Sequence, residues 1–129
     1  MRQSALDVLA LLDHLEADRI QAIGFSAGAD TLLLIATQQP ERIEAMVLIG
    51  GAHYFPEQAR EVMGNYDSTD VPEENMEEMR SVHKHGDGQI RALISQMNGF
   101  KDSYDDMNIT APYLSTITAR TLIMQGDRD

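Results

Sequence analysis

The apolar positions change period several times along the chain. Ala5, Val8, Leu9 and Leu12 recur at i, i+3, i+4 and i+7, a spacing that lines one face of a helix. Ser4 stands before the stripe as its predicted N-cap. Ala17-Asp18 turns the chain into a short strand at 19–23. A helix over 29–39 follows, with Leu32, Leu33 and Ala36 on its inner face, and Pro40 stops it. Residues 42–49 form a second strand that becomes apolar on both faces, the pattern of a buried parallel strand, and Gly50-Gly51 ends it. Residues 121–124 repeat that pattern as a third strand. Strands alternating with helices predict an α/β fold whose parallel strands are joined by right-handed crossovers. Ligands of such sheets bind at the carboxyl ends of the strands. Ser26, His53 and Asp129 all follow strand ends, so they are expected to share one edge of the sheet.

Between 54 and 111 the pattern is helical. Pro56 and Gly64 bracket one short helix, and Asp70 with Pro72 opens a second that Gly86 closes. Ile90, Leu93, Ile94 and Met97 form the stripe of a third, ended by Asn98-Gly99, and Thr110 with Pro112 opens a last short one. The organisation read here is a single domain, with its core at 1–53 and 112–129 and a helical insertion at 54–111 lying over the strand ends. No repeat or low-complexity linker interrupts it.

Composition narrows the chemistry. A length of 129 residues suits one ordinary domain, and an apolar content of 43% makes a core feasible. The absence of cysteine excludes disulfides, thiolate catalysis and cysteine metal sites. Ten basic against twenty-one acidic residues give a net charge of −11, which disfavours nucleic acid and anionic membrane surfaces as partners. No apolar run approaches the ~18 residues of a membrane helix. Met1-Arg2-Gln3-Ser4 leads into no signal-peptide core. A soluble, cytoplasmic protein is expected.

The chemistry is carried by Gly24-Phe25-Ser26-Ala27-Gly28, a G-x-S-x-G pentapeptide squeezed between a strand end and a helix start. That context is the nucleophile elbow of a serine hydrolase. The turn forces the serine into a strained backbone conformation, and side chains two residues to either side are expected to clash, so Gly24 and Gly28 belong there. The helix start aims N–H groups and a positive dipole end at a developing oxyanion. The glycine spacing fits neither nucleotide-binding fingerprint.

Residues 6–15, the pentapeptide, Gln39-Pro40-Glu41-Arg42-Ile43, Val47-Leu48-Ile49 and residues 121–129 together resemble the middle of an α/β-hydrolase-fold enzyme. The resemblance spans nearly the whole chain and is weakest through the helical insertion, which corresponds to a cap. It implies a partial α/β-hydrolase fold with three parallel strands and flanking helices. It implies Ser26 as nucleophile, the Ala27 N–H as one oxyanion donor, and Asp129 as the acid of the Gly-Asp-x-Asp turn, with Asp127 shaping that turn. The family order is serine, acid, histidine. The histidine and the second oxyanion donor are therefore expected outside this chain, which reads as an internal piece lacking the first strands. Ala29 stands where the family commonly has a further glycine.

Other candidates have plainer readings. His53 is read as a loop residue lining the cleft rather than the base, since it precedes the acid. His83 and His85 sit two apart, on different helix faces, and suit a helix C-terminus better than a metal. His14 is read as a surface residue. Met63, Met76, Met79, Met97 and Met107 fall within the insertion, where packing of short helices is the plain account and a cap adaptable to varied apolar groups the functional one. Asp70, Glu73, Glu74, Glu77 and Glu78 read as a solvated helix face. The expected function is hydrolysis of a small carboxylic ester or related acyl compound, without cofactor or metal. The alternatives are a carbon–carbon bond hydrolase, a cofactor-free perhydrolase, or a piece that is inactive and poorly folded alone. Oligomeric state is not legible in the sequence.

Overall fold

The structure, a computed structural model, describes residues 1–127. The chain divides into two compact units, Met1–Tyr54 with the chain from Asp106 onward, and Phe55–Asp105.

The first unit is built on a three-stranded parallel sheet in the order β1-β2-β3, with β1 at Ile20–Phe25, β2 at Ile43–Ile49 and β3 at Arg120–Met124. Helix α1 (Arg2–His14) buries Ala5, Leu9 and Leu12, the apolar stripe of the sequence. Its start differs from expectation. The N-cap is Met1, and Ser4 lies inside the first turn. The reason is distant in sequence: the Asp106 carboxylate accepts a hydrogen bond from the Arg2 N–H at 2.9 Å and pairs with the N-terminal ammonium. That carboxylate meets orphan donors that a serine would otherwise serve. At the other end, Arg42 fastens the turn into β1 through Asp13 Oδ1 at 2.8 Å and the carbonyls of Asp18 and Ala17 at 2.9 and 3.2 Å.

Helix α2 (Ala27–Gln38) starts two residues earlier than periodicity suggests, directly after the serine. It packs on β1 and β2 from one face of the sheet. Register places Gly24, Leu48 and Ile123 in one row and Ala22, Met46 and Thr121 in another on that face. Met46 and Leu48 are buried there. The opposite face carries Ile23, Val47 and Leu122, then Phe25, Ile49 and Met124, and Ile23 and Phe25 are 74% and 73% exposed. The apolar character of β2 on both sides is thus met by packing on one side only. Residues 106–111, read from sequence as part of the insertion, lie in this unit: Met107 and Ile109 are buried, and Asn108 forms an antiparallel bridge with Tyr54. The short helix α6 (Ala111–Leu114) leads into β3.

The second unit is helical. It comprises α3 (Glu57–Gly64), α4 (Glu73–Val82) and α5 (Gly86–Gly99), around a small core that includes Phe55, Met76 and Ile90. Gly86 opens α5 rather than closing α4, at φ +76°, and His83 is the residue that caps α4. Arg80 joins the two helices by binding Glu73 at 2.5 Å and Asp87 at 2.7 Å. The remaining acidic residues of the run from Asp70 to Glu78 are exposed, as a solvated face should be. No helix among the described residues is long and apolar enough to cross a membrane.

Candidate active site

Ser26 stands between the last residue of β1 and the first of α2, at φ +50° and ψ −120°. A positive φ is uncommon outside glycine and costs about 1–3 kcal/mol unless its surroundings enforce it. Here they do. The Ser26 N–H donates to the Ile49 carbonyl at 2.8 Å, tying the turn to the end of β2. The Ser26 carbonyl accepts from Ala29 and Asp30 at 2.8 and 3.1 Å, committing the next residues to helix. Serine at an N-cap commonly spends its hydroxyl on the helix. Ser26 does not: its side chain makes no cap hydrogen bond, and the residue is exposed. The hydroxyl is therefore presented at the carboxyl end of the sheet, beside the first N–H groups of α2, which have no intrahelical acceptor. Ala27 supplies the first of these.

The two glycines of the pentapeptide are not equivalent. A Cβ on Gly24 would lie 2.5 Å from the Gly28 carbonyl oxygen and 2.6 Å from the Ala29 nitrogen, both backbone atoms. Only glycine lets β1 and α2 approach this closely. A Cβ on Gly28 would meet nothing within 4 Å. The expectation of a clash at both positions holds at Gly24 and fails at Gly28, because the helix turns position 28 away from the strand. Phe25, between Gly24 and Ser26, points to the open sheet face.

Two neighbours of the elbow take roles that the periodicity does not reveal. The Asp30 carboxylate is only 5% exposed and accepts the Ala52 N–H at 2.7 Å. Burial pushes its carboxyl above the usual carboxylate range, against the opposing pull of that N–H. Gly51 runs so close to α2 that a Cβ there would come within 2.6 Å of the Ala29 Cβ. Asp30 was missed because an acid in a first helical turn already satisfies a local rule. Its one sequence signal is position, at the head of the apolar run that forms the buried face of α2.

His53 lies in the loop after β2, exposed, with Nδ1 3.0 Å from the Ile109 carbonyl oxygen. A carbonyl only accepts, so Nδ1 is the donor in this contact. The Ile109 N–H in turn donates to the His53 carbonyl at 2.8 Å, which fixes the loop. Asp129 lies outside the described residues, while Asp127 is exposed beyond β3. Among the described residues no three His, Asp or Glu side chains converge as a metal site.

Known proteins agree with this architecture. A 2-hydroxy-6-oxononadienedioate/2-hydroxy-6-oxononatrienedioate hydrolase 2 of Pseudomonas putida is 26% identical over 98% of this chain and 52% of its own length. A 2-hydroxy-6-oxo-6-phenylhexa-2,4-dienoate hydrolase of Comamonas testosteroni matches equally, at 26% over 98% and 52%. The chain thus spans about half the length of the curated relatives it matches. Among solved structures, the enol-lactonase from Burkholderia xenovorans LB400 superposes with a TM-score of 0.63 at 19% identity, over 98% of this chain and 54% of that one. MGS-M2, an α/β hydrolase enzyme from a Medee basin deep-sea metagenome library, gives 0.60 at 19% identity, over 92% and 51%. The fold is that of part of an α/β hydrolase. The Ndr family profile matches residues 1–126, and with that the chain belongs to the Ndr family.

Proposed function

We propose that the full-length protein is a serine hydrolase that cleaves a small carboxylic ester or related acyl compound through an acyl-enzyme on Ser26. The observation that carries this reading is the exposed hydroxyl at φ +50°, withheld from capping and set at a helix start. In the proposed reaction Ser26 Oγ attacks the acyl carbon and its proton passes to a histidine beyond Asp129. The Ala27 N–H helps hold the oxyanion. The histidine then protonates the leaving alkoxide. Water, deprotonated by the same histidine, releases the acid and restores the serine. Asp129 orients the histidine, and the helical segment at 54–111 selects the substrate.

A second reading concerns the bond that is cut. Both curated relatives are named hydrolases of 2-hydroxy-6-oxo compounds. A 6-oxo carbonyl is also an acyl carbon open to Ser26, and its hydrolysis would break a carbon–carbon bond in place of an ester. A lactone-type ester represents the first reading and a 2-hydroxy-6-oxo-dienoate the second, and turnover of one over the other by the full-length protein decides between them. For either, Ser26→Ala is expected to lower kcat by at least about 1,000-fold and to abolish labelling by a fluorophosphonate probe. Undiminished turnover in that variant would remove Ser26 as nucleophile.

A further inference from the structure

Asp30 is a buried charge for which the proposed chemistry has no use. An acid in a first helical turn normally faces the positive dipole end from water. This one is buried, with Ala29 on one side and Leu32 and Leu33 following. Withdrawing a carboxylate from water is unfavourable unless hydrogen bonds replace its hydration. The replacement here is the Ala52 N–H, at 2.7 Å.

That bond closes a clamp. Ile49, the last residue of β2, accepts the Ser26 N–H at 2.8 Å. Three residues later Ala52 is held by Asp30. Between them Gly51 passes against Ala29, with space for no larger residue. The loop after β2 is therefore fastened to both ends of the first turn of α2, the turn that begins at the strained Ser26. We propose that Asp30 is a positioning residue for Ser26. Through Ala52 it presses the loop onto that turn and keeps the serine at positive φ. Asp30 touches no reacting atom. The inference rests on Ser26 being the nucleophile.

The experiment uses the full-length protein with p-nitrophenyl acetate as probe substrate. Asp30→Ala is expected to lower kcat about 10- to 100-fold, the range that small misplacement of a reacting group produces. KM should stay within about twofold, since binding is untouched. Asp30→Asn keeps an acceptor oxygen and is expected to restore kcat to within about threefold of wild type. Amide exchange at Ala52 should be fast in Asp30→Ala and slow in wild type and Asp30→Asn. Wild-type kcat in Asp30→Ala, equal loss in both variants, or unaltered exchange at Ala52 overturns the proposal. If Asp30→Ala does not fold, Gly51→Ala takes its place. Its methyl meets Ala29 while Asp30 is intact, and the same loss of kcat with KM held is expected; wild-type kcat there overturns the proposal equally. Full activity in Ser26→Ala overturns the nucleophile assignment alone, because exchange at Ala52 judges the clamp without reference to catalysis.

Discussion

A methyl group at position 24 would have to displace backbone, since the Gly28 carbonyl oxygen lies 2.5 Å from where it would stand. Gly24→Ala is therefore expected to force β1 and α2 apart at their junction, destabilising the protein by about 1–3 kcal/mol, as overpacking does. Activity should fall with it. Gly28→Ala meets open space and should leave urea stability unchanged or slightly raised, as alanine is the better helix former. Equal behaviour of the two variants in urea melts would contradict the geometry of the turn. Asp30 gives a second prediction with a definite sign. Its carboxyl is raised above 3.8, so in acid it is protonated both folded and unfolded. As pH rises the unfolded chain ionises first, and the favourable contribution is lost as pH passes the folded value. Asparagine does not titrate. Asp30→Asn is thus expected to melt above wild type at pH 7, with the gap closing toward pH 4; a gap constant with pH would show that burial does not perturb this acid. The turn at Ser26 was legible in the sequence because a local rule generates it. The burial of Asp30 was not, because its partner lies 22 residues away and its own position already looked explained.

Elements repeat that division. Strands and helices came through periodicity, since each must bury a stripe or a face, and their ends moved wherever a distant group intervened. Asp106 displaces Ser4 at the start of α1, and Gly86, expected to close α4, opens α5 instead. In the helical unit the decisive contact is also distant. Arg60 on α3 is 7% exposed. Its Nε donates to the Phe55 carbonyl at 3.0 Å, and Nη1 to those of Phe100 and Lys101 at 2.8 and 3.2 Å. Its guanidinium carbon lies 4.1 Å from the Tyr104 ring centroid. An arginine in a short polar helix reads as surface, so nothing in the periodicity marked it. The flat fork satisfies carbonyls on two separate stretches while stacking on a ring, which a lysine cannot do. Arg60→Ala should cost about 2–4 kcal/mol in chemical denaturation, because it strands buried carbonyls and opens a void. Arg60→Lys should recover little of that. Full recovery by lysine would mean that charge alone, not the fork, holds the segment.

At the scale of the whole molecule the unpacked sheet face governs behaviour. Ile23, Phe25, Leu122 and Met124 are each at least half exposed there, with Val47 and Ile49 between them. Apolar surface that continuous marks a contact or a route to aggregation. The sequence carried this too, since β2 is apolar on both sides and a parallel sheet requires cover on both. The 129-residue polypeptide by itself is therefore expected to self-associate at micromolar concentration and to bind a dye such as ANS. It should also react with a fluorophosphonate far more slowly than the full-length protein, since on the proposed mechanism the base lies beyond Asp129. The two defects have different causes and separate experimentally. Ile23→Lys with Leu122→Glu places opposite charges in one row of the open face, on either side of Val47, and removes apolar area, so it should reduce self-association. It supplies no base, so labelling of Ser26 should stay slow. A monodisperse polypeptide labelled at Ser26 as fast as the full-length protein would sink both expectations, and would mean that the described half of the fold already contains a complete nucleophilic site.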